Sequence, residues 1–278
     1  MTALTPLPLP KLGQKTNKGI TILTDDALAS SVGVFAGFTL RQGGVSNPPY
    51  DSLNLASHVN DRSEDVLRNR ALLVDSLECT VSHLINPNQV HGTTVATVDE
   101  TLGLSYESAC WQAEEGADAL IVNEPETMAL LCYADCLPAI IVSPTGRFAV
   151  VHAGWRGALA GIVGKAARLM EQQDRAAGQA CDPSGYNLYI GPYIHEECFE
   201  VSQEIADTFC QAYGPAVLLD NRHVSLGRAV VADATAAGMD SQRVADAQMC
   251  TVCHSDQVFS YRASGGVCGR HSAFGTRR

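Results

Sequence analysis

One thiol and two imidazoles carry the chemistry that this sequence can do. Cys136 stands in Ala134-Asp135-Cys136, directly after an apolar run at 128–133. His152 follows another apolar run at 148–151 and opens His152-Ala153-Gly154-Trp155-Arg156-Gly157. A third run, 138–142, lies between them, and Pro144-Thr145-Gly146 has the composition of a hairpin turn. Each run has strand length, so a thiol and an imidazole leave neighbouring strand ends. Such a pair can share a soft metal ion or act as nucleophile and base. His91, in Asn88-Gln89-Val90-His91-Gly92, adds a third donor. Two His and one Cys make the ligand count of a catalytic zinc with one open position. The three are far apart in sequence, so spacing alone does not group them.

Anion-binding groups stand close by. Arg156 and Gly157 lie at the expected start of a helix whose apolar face is Ala158, Ile162, Val163, Ala166, Leu169 and Met170. Arg41 lies beside Gly43 and Gly44. Guanidinium groups next to free backbone amides suit phosphate. Asp118 and Asp135 fall at strand ends beside the expected metal ligands, where either could orient a ligand or move a proton. Cys250-Thr251-Val252-Cys253-His254 fits the haem-attachment spacing. Covalent haem goes with export, and no secretory signal is visible; a zinc or redox role is open to that pair, but no second Cys-x-x-Cys accompanies it.

The elements that must position these groups read as follows. Residues 1–18, with Pro6, Pro8 and Pro10, suggest a flexible tail, and 19–278 a single domain. A first strand is expected at 31–40 and a helix from an N-cap at Ser63. Residues 99–116 look loop-like, and a strand begins after Asp118. Further on come a polar connection at 172–184, a short strand at 187–190, a helix near Ser202, and another at 226–237 ending at Gly238. This is an α+β pattern, mixed β-sheets packed with helices. The 278 residues are 46% hydrophobic, enough for a large core. A net charge of −11 argues against nucleic-acid or anionic-membrane partners. With no apolar run of membrane-span length, the ten Cys are expected as reduced thiols in a cytoplasmic protein.

Seven segments occur in the order of a known family: TLRQGGVS (39–46), SLNL (52–55), NQVHG (88–92), ADALIV (117–122), ADCLP (134–138), VHAGWRG (151–157) and IGPYIHEECFEV (190–201). Together they resemble the YfiH-type family, also called laccase-domain or multi-copper polyphenol oxidase-like proteins. The resemblance implies a zinc site of His91, Cys136 and His152, with copper as the alternative metal. It implies phosphorolysis of the purine nucleosides adenosine, inosine and methylthioadenosine by inorganic phosphate, and deamination of adenosine. Asp135, Asp118 and Arg156 are then the expected catalytic residues, and Arg41, Asn54, Arg156 and Gly157 the expected substrate or phosphate contacts. No obligate protein partner is expected. Rival activities are a cysteine hydrolase or amidase acting on peptidoglycan, with Cys136 as nucleophile, and a copper-dependent polyphenol oxidase.

Overall fold

The computed structural model describes residues 4–77 and 79–278. Its strands are β1 (Gly13–Asn17), β2 (Ile20–Thr24), β3 (Val34–Thr39), β4 (His83–Ile85), β5 (Val95–Val98), β6 (Ala119–Val122), β7 (Thr127–Tyr133), β8 (Leu137–Val142), β9 (Phe148–Ala153), β10 (Asn187–Ile190), β11 (Val244–Asp246) and β12 (His271–Arg277). The α-helices are α1 (Asp26–Val32), α2 (Ser63–Ser76), α3 (Tyr106–Gly116), α4 (Trp155–Leu159), α5 (Ile162–Ala176), α6 (Gln203–Tyr213) and α7 (Leu226–Ala236). The strands build two mixed six-stranded sheets. One has the order β1-β2-β3-β12-β7-β4 and the other β11-β10-β8-β9-β6-β5.

Strand alternation explains how the layers stack. In β7, Ala129, Leu131 and Tyr133 face the second sheet, while Met128, Leu130 and Cys132 face α2. In β9, Phe148 and Val150 face the first sheet, while Ala149, Val151 and Ala153 pack under the helices with Ile162, Ala166 and Val230. Both faces are therefore covered, which is why β6 to β9 read as unbroken apolar runs rather than as alternating ones. The layers follow in the order α2, first sheet, second sheet, α4–α7. Among the described residues no helix is long and apolar enough to cross a membrane.

Two chain segments cross from the first sheet to the second, and both carry candidate ligands. Residues 86–94 lead from β4 to β5, and Ala134-Asp135-Cys136 leads from β7 to β8. The first crossover is held by side chains that imitate a strand. The Gln89 amide donates to the Cys132 carbonyl and accepts from the Cys132 amide, both at 2.8 Å, and Asn86 donates to the Leu130 carbonyl at 2.8 Å.

Several expectations change. Over the described part of 1–18 the chain is not a tail. β1 pairs antiparallel with β2, Leu7 is buried in the core between the sheets, and the carbonyls of Leu7 and Pro8 accept from Arg243 and Asn187. Residues 106–116 form a helix capped by Ser105 rather than a loop. Ser63 lies inside α2, whose N-cap is Arg62. The expected helix after Gly154 is two helices, broken where Gly161 takes φ +69°, and α5 runs on into the connection expected from 172.

Beneath α5 a single guanidinium ties three elements. Arg147 is buried and donates to Asp174 at 2.8 Å and Asp99 at 2.6 Å; Asp174 also accepts from Ser143 and Tyr186. Removing the cation strands two buried carboxylates. We predict that Arg147→Ala lowers unfolding stability by about 3–5 kcal/mol in urea titrations; a loss below about 1 kcal/mol would contradict this account.

Candidate metal centre and cleft

The site forms where the two crossovers meet the end of β9. Asp118 directly precedes β6, which pairs antiparallel with β9, so Asp118 and His152 are cross-strand neighbours. The Asp118 carbonyl accepts from the His152 amide at 2.7 Å, and Asp118 Oδ1 bonds His152 Nδ1 at 2.8 Å. That contact leaves His152 Nε2 as the free donor atom. The same carboxylate accepts from the amides of Val90 (3.2 Å), His91 (2.9 Å) and Gly92 (2.6 Å). Three successive amides curl around one anion, and His91 takes φ +59° in doing so. Its Nε2 then lies 3.7 Å from Cys136 Sγ. The two imidazoles are 4.8 Å apart at 77°. Gly154 is required by this approach, because a Cβ there would lie 2.6 Å from the His91 ring.

The donor atoms of His91, Cys136 and His152 all fall within 4.8 Å of one another. Tetrahedral zinc with bonds of about 2.0–2.1 Å to N and 2.3 Å to S separates an N and an S ligand by about 3.6 Å. The observed 3.7 Å contact between His91 Nε2 and Cys136 Sγ matches that separation, and the donor set suits zinc. Burial raises the Cys136 pKa, but the His152 charge and the hydrogen bonds of both histidines outweigh it and bring it down to about 6. Burial likewise lowers the His152 pKa, yet the Cys136 thiolate and Asp118 raise it to about 9. Without metal the pair is thus a thiolate beside an imidazolium. For Asp118, burial acts upward, but the bonds from His152 and the Gly92 amide prevail and hold its pKa below the ordinary carboxylate value.

These groups open onto a cleft of about 870 Å³. Tyr133, Ile194, Phe199 and Tyr261 supply apolar walls, and Asp135, Glu114, His58, Arg262 and Arg270 supply polar ones. Burial first, and then the Arg270 and Arg70 charges, lower the His58 pKa, which marks this side as cationic. Among the described residues neither Arg262 nor Arg270 has a carboxylate partner at ion-pair distance. Arg262 donates to the carbonyls of Cys198 and Glu200, and Arg270 to those of Cys268 and Gly269. Another cleft of about 910 Å³, by Lys18, Arg70 and Arg278, has no convergent ligand set among the described residues.

The other residues singled out in the sequence lie elsewhere or are otherwise engaged. Arg41 donates to the carbonyls of Asp51 and Ser255 and pairs with the Asp51 carboxylate at 3.3 Å. Arg156 is exposed and stacks 4.1 Å over Trp155. Gly157 is buried, and a Cβ there would lie 3.1 Å from the Gly92 carbonyl. Asn54 is buried and bonds Asp61 and the Arg270 amide. Asp135, at φ +84°, does line the cleft; it accepts from Thr251 at 2.5 Å and from the Arg262 amide at 2.7 Å. Sequence reasoning passed over His58, Arg262 and Arg270. Their signal was weak, because Arg262 and Arg270 sit in a glycine-rich stretch without apolar periodicity.

Comparison with known proteins gives this arrangement a family. The profile of the family described as multi-copper polyphenol oxidoreductase laccase matches residues 35–277. The purine nucleoside phosphorylase YlmD of Geobacillus stearothermophilus is 32% identical over 88% of this chain and 91% of its own. An adenosine deaminase RL5 from an unknown prokaryotic organism is 31% identical over 87% and 94%. The crystal structure of YlmD from G. stearothermophilus superposes with a TM-score of 0.81 at 28% identity, covering 97% of this chain and all of that one. The chain belongs to the laccase-domain family that includes the YfiH and YlmD proteins.

Two outcomes follow from the geometry. In metal-stripped protein, iodoacetamide alkylation of Cys136 should accelerate as pH rises through about 6, where the thiolate forms, and zinc should suppress it; a midpoint near the ordinary thiol value of about 8.5 would refute the ion pair. Asp118→Asn should weaken zinc binding about 10–100-fold in competition with a chromogenic chelator.

Proposed function

We propose that this protein is a zinc-dependent purine nucleoside phosphorylase that also deaminates adenosine. One observation carries the reading: the His91–Cys136–His152 donors and two arginines without a carboxylate partner among the described residues open onto the same cleft. His91, Cys136 and His152 hold the metal, which supplies Lewis acidity at the cleft when bound. Zinc suits this donor set better than a multicopper centre, because among the described residues only two of the eight histidines join a ligand cluster.

Arg262, Arg270 and His58 bind the phosphate co-substrate, with charge-assisted hydrogen bonds as the source of affinity. Tyr261, Phe199 and Ile194 take the purine face, since aromatic and aliphatic walls suit a flat heterocycle. Asp118 acts as a positioning residue: its oxygens are occupied by His152 and three amides, and its lowered pKa keeps it a carboxylate. Asp135 holds the Arg262 amide and Thr251, and so sets the cationic wall against the metal ligands. Adenosine, inosine and methylthioadenosine are the substrates proposed, and the names of the relatives YlmD and RL5 support both activities. Ten unbridged cysteines suit a reducing compartment such as the cytoplasm.

The test is chromatography of adenosine incubated with zinc-loaded protein, with and without phosphate. Adenine and ribose 1-phosphate are expected only with phosphate, and inosine in both. Arg270→Ala should raise the KM for phosphate about 10-fold or more, with a smaller change in the KM for adenosine. An unchanged phosphate KM would remove Arg270 from the site, and the absence of any product would sink the proposal.

A further inference from the structure

A second set of soft ligands converges beside the cleft wall. Cys198 lies in the turn before Phe199, and Cys250 and Cys253 form the Cys-x-x-Cys pair. Their sulfurs and a Glu197 carboxylate oxygen all fall within 4.8 Å of one another. Cys198 Sγ and Cys253 Sγ are 3.7 Å apart. Zinc–sulfur bonds of about 2.3 Å in a tetrahedron place two sulfurs about 3.8 Å apart, whereas a disulfide needs about 2.05 Å. The His254 amide closes a turn on the Cys250 carbonyl at 3.0 Å, and the His195 amide points at Cys250 Sγ at 3.5 Å. An amide aimed at a sulfur stabilises its thiolate form.

We propose that Cys198, Cys250, Cys253 and Glu197 form a structural zinc site, separate from the His91–Cys136–His152 centre. Three thiols and one carboxylate complete four-coordination, which leaves no position open for substrate. On binding, each thiol releases its proton to solvent and forms one sulfur–metal bond; no electrons are transferred. Glu197 and Cys253 are exposed, so an ion can enter from solvent, while Cys250 anchors the buried side.

The site has a structural task. It joins residues 193–201 to residues 249–262, two segments whose backbone bonds among the described residues are both made by Tyr193, its amide donating to the Met249 carbonyl and its carbonyl accepting from the Thr251 amide. Both segments wall the cleft. Phe199 follows Cys198, Thr251 follows Cys250 and donates to Asp135, and Arg262 donates to the Cys198 carbonyl at 3.2 Å. The zinc thus sets the cationic wall at its distance from the metal ligands. The inference does not depend on the nucleoside reading.

The experiment is metal counting by mass spectrometry on reduced, zinc-loaded, desalted full-length protein. Two zinc ions per chain are expected for the wild type. One is expected for the double variant Cys198→Ser/Cys253→Ser, and one for His91→Ala/Cys136→Ser, each checked for folding by far-UV circular dichroism. With cobalt in place of zinc, the second variant should keep a sulfur-to-metal charge-transfer band about three times as intense per chain as the first. A Cys198→Ser/Cys253→Ser protein that holds as much metal as the wild type overturns the proposal. So does a folded His91→Ala/Cys136→Ser protein free of metal, or a Cys198–Cys253 disulfide in protein alkylated at lysis.

Discussion

The site depends on the buried carboxylate of Asp118. A charge in that position is costly unless donors surround it, and here four do: three amides of one crossover and an imidazole of the other sheet strand. The arrangement does two things at once. It satisfies the charge, and it converts two sequence-distant histidines into neighbours with fixed ring orientations. The left-handed conformation of His91 is the strain that this enclosure imposes, and the missing side chain of Gly154 is the space it requires.

The double-sheet architecture explains why ligands gather at crossovers. Within β6 to β9 most strand residues are committed to a ladder and to one of two apolar faces. Apart from the end of β9, which carries His152, backbone and side chains turn toward a shared space where the chain leaves one sheet for the other. Cys136 and Asp135 occupy one such departure and His91 the other. The Gln89 and Asn86 amides stand in for strand bonds there, so the first crossover stays attached to β7 without being part of it.

Much of this was legible in the sequence, and the limits have physical causes. The central strands announce themselves because burial on both faces demands continuous apolar residues. The three candidate ligands are named by the resemblance of the NQVHG, ADCLP and VHAGWRG segments to a known family, because spacing alone does not group them. α3 was illegible because it buries only Ala109 and Ala113 while Trp111 faces solvent, so no apolar stripe forms. The break at Gly161 was hidden because Ala158 and Ile162 keep helical spacing across it. Asp118 was recognisable as important, but its engagement by successive amides depends on backbone curvature that no residue pattern encodes. Arg262 and Arg270 become pocket residues only through long-range contacts, as when Arg262 meets Asp135 across 127 positions.

The place of β12 has a consequence for how the molecule forms. It lies between β3 and β7, pairing with Phe38 on one side and Leu131 on the other. During synthesis from the N-terminus, β3 and β7 must therefore wait, each with an open hydrogen-bonding edge, until residues 271–277 arrive. Pairings across such sequence separations are slow, and unpaired edges invite association with other chains. The nascent protein thus passes through a stage in which its candidate metal ligands have been made but one of the sheets that carry them is still split, which makes folding of this protein a problem of timing as much as of stability.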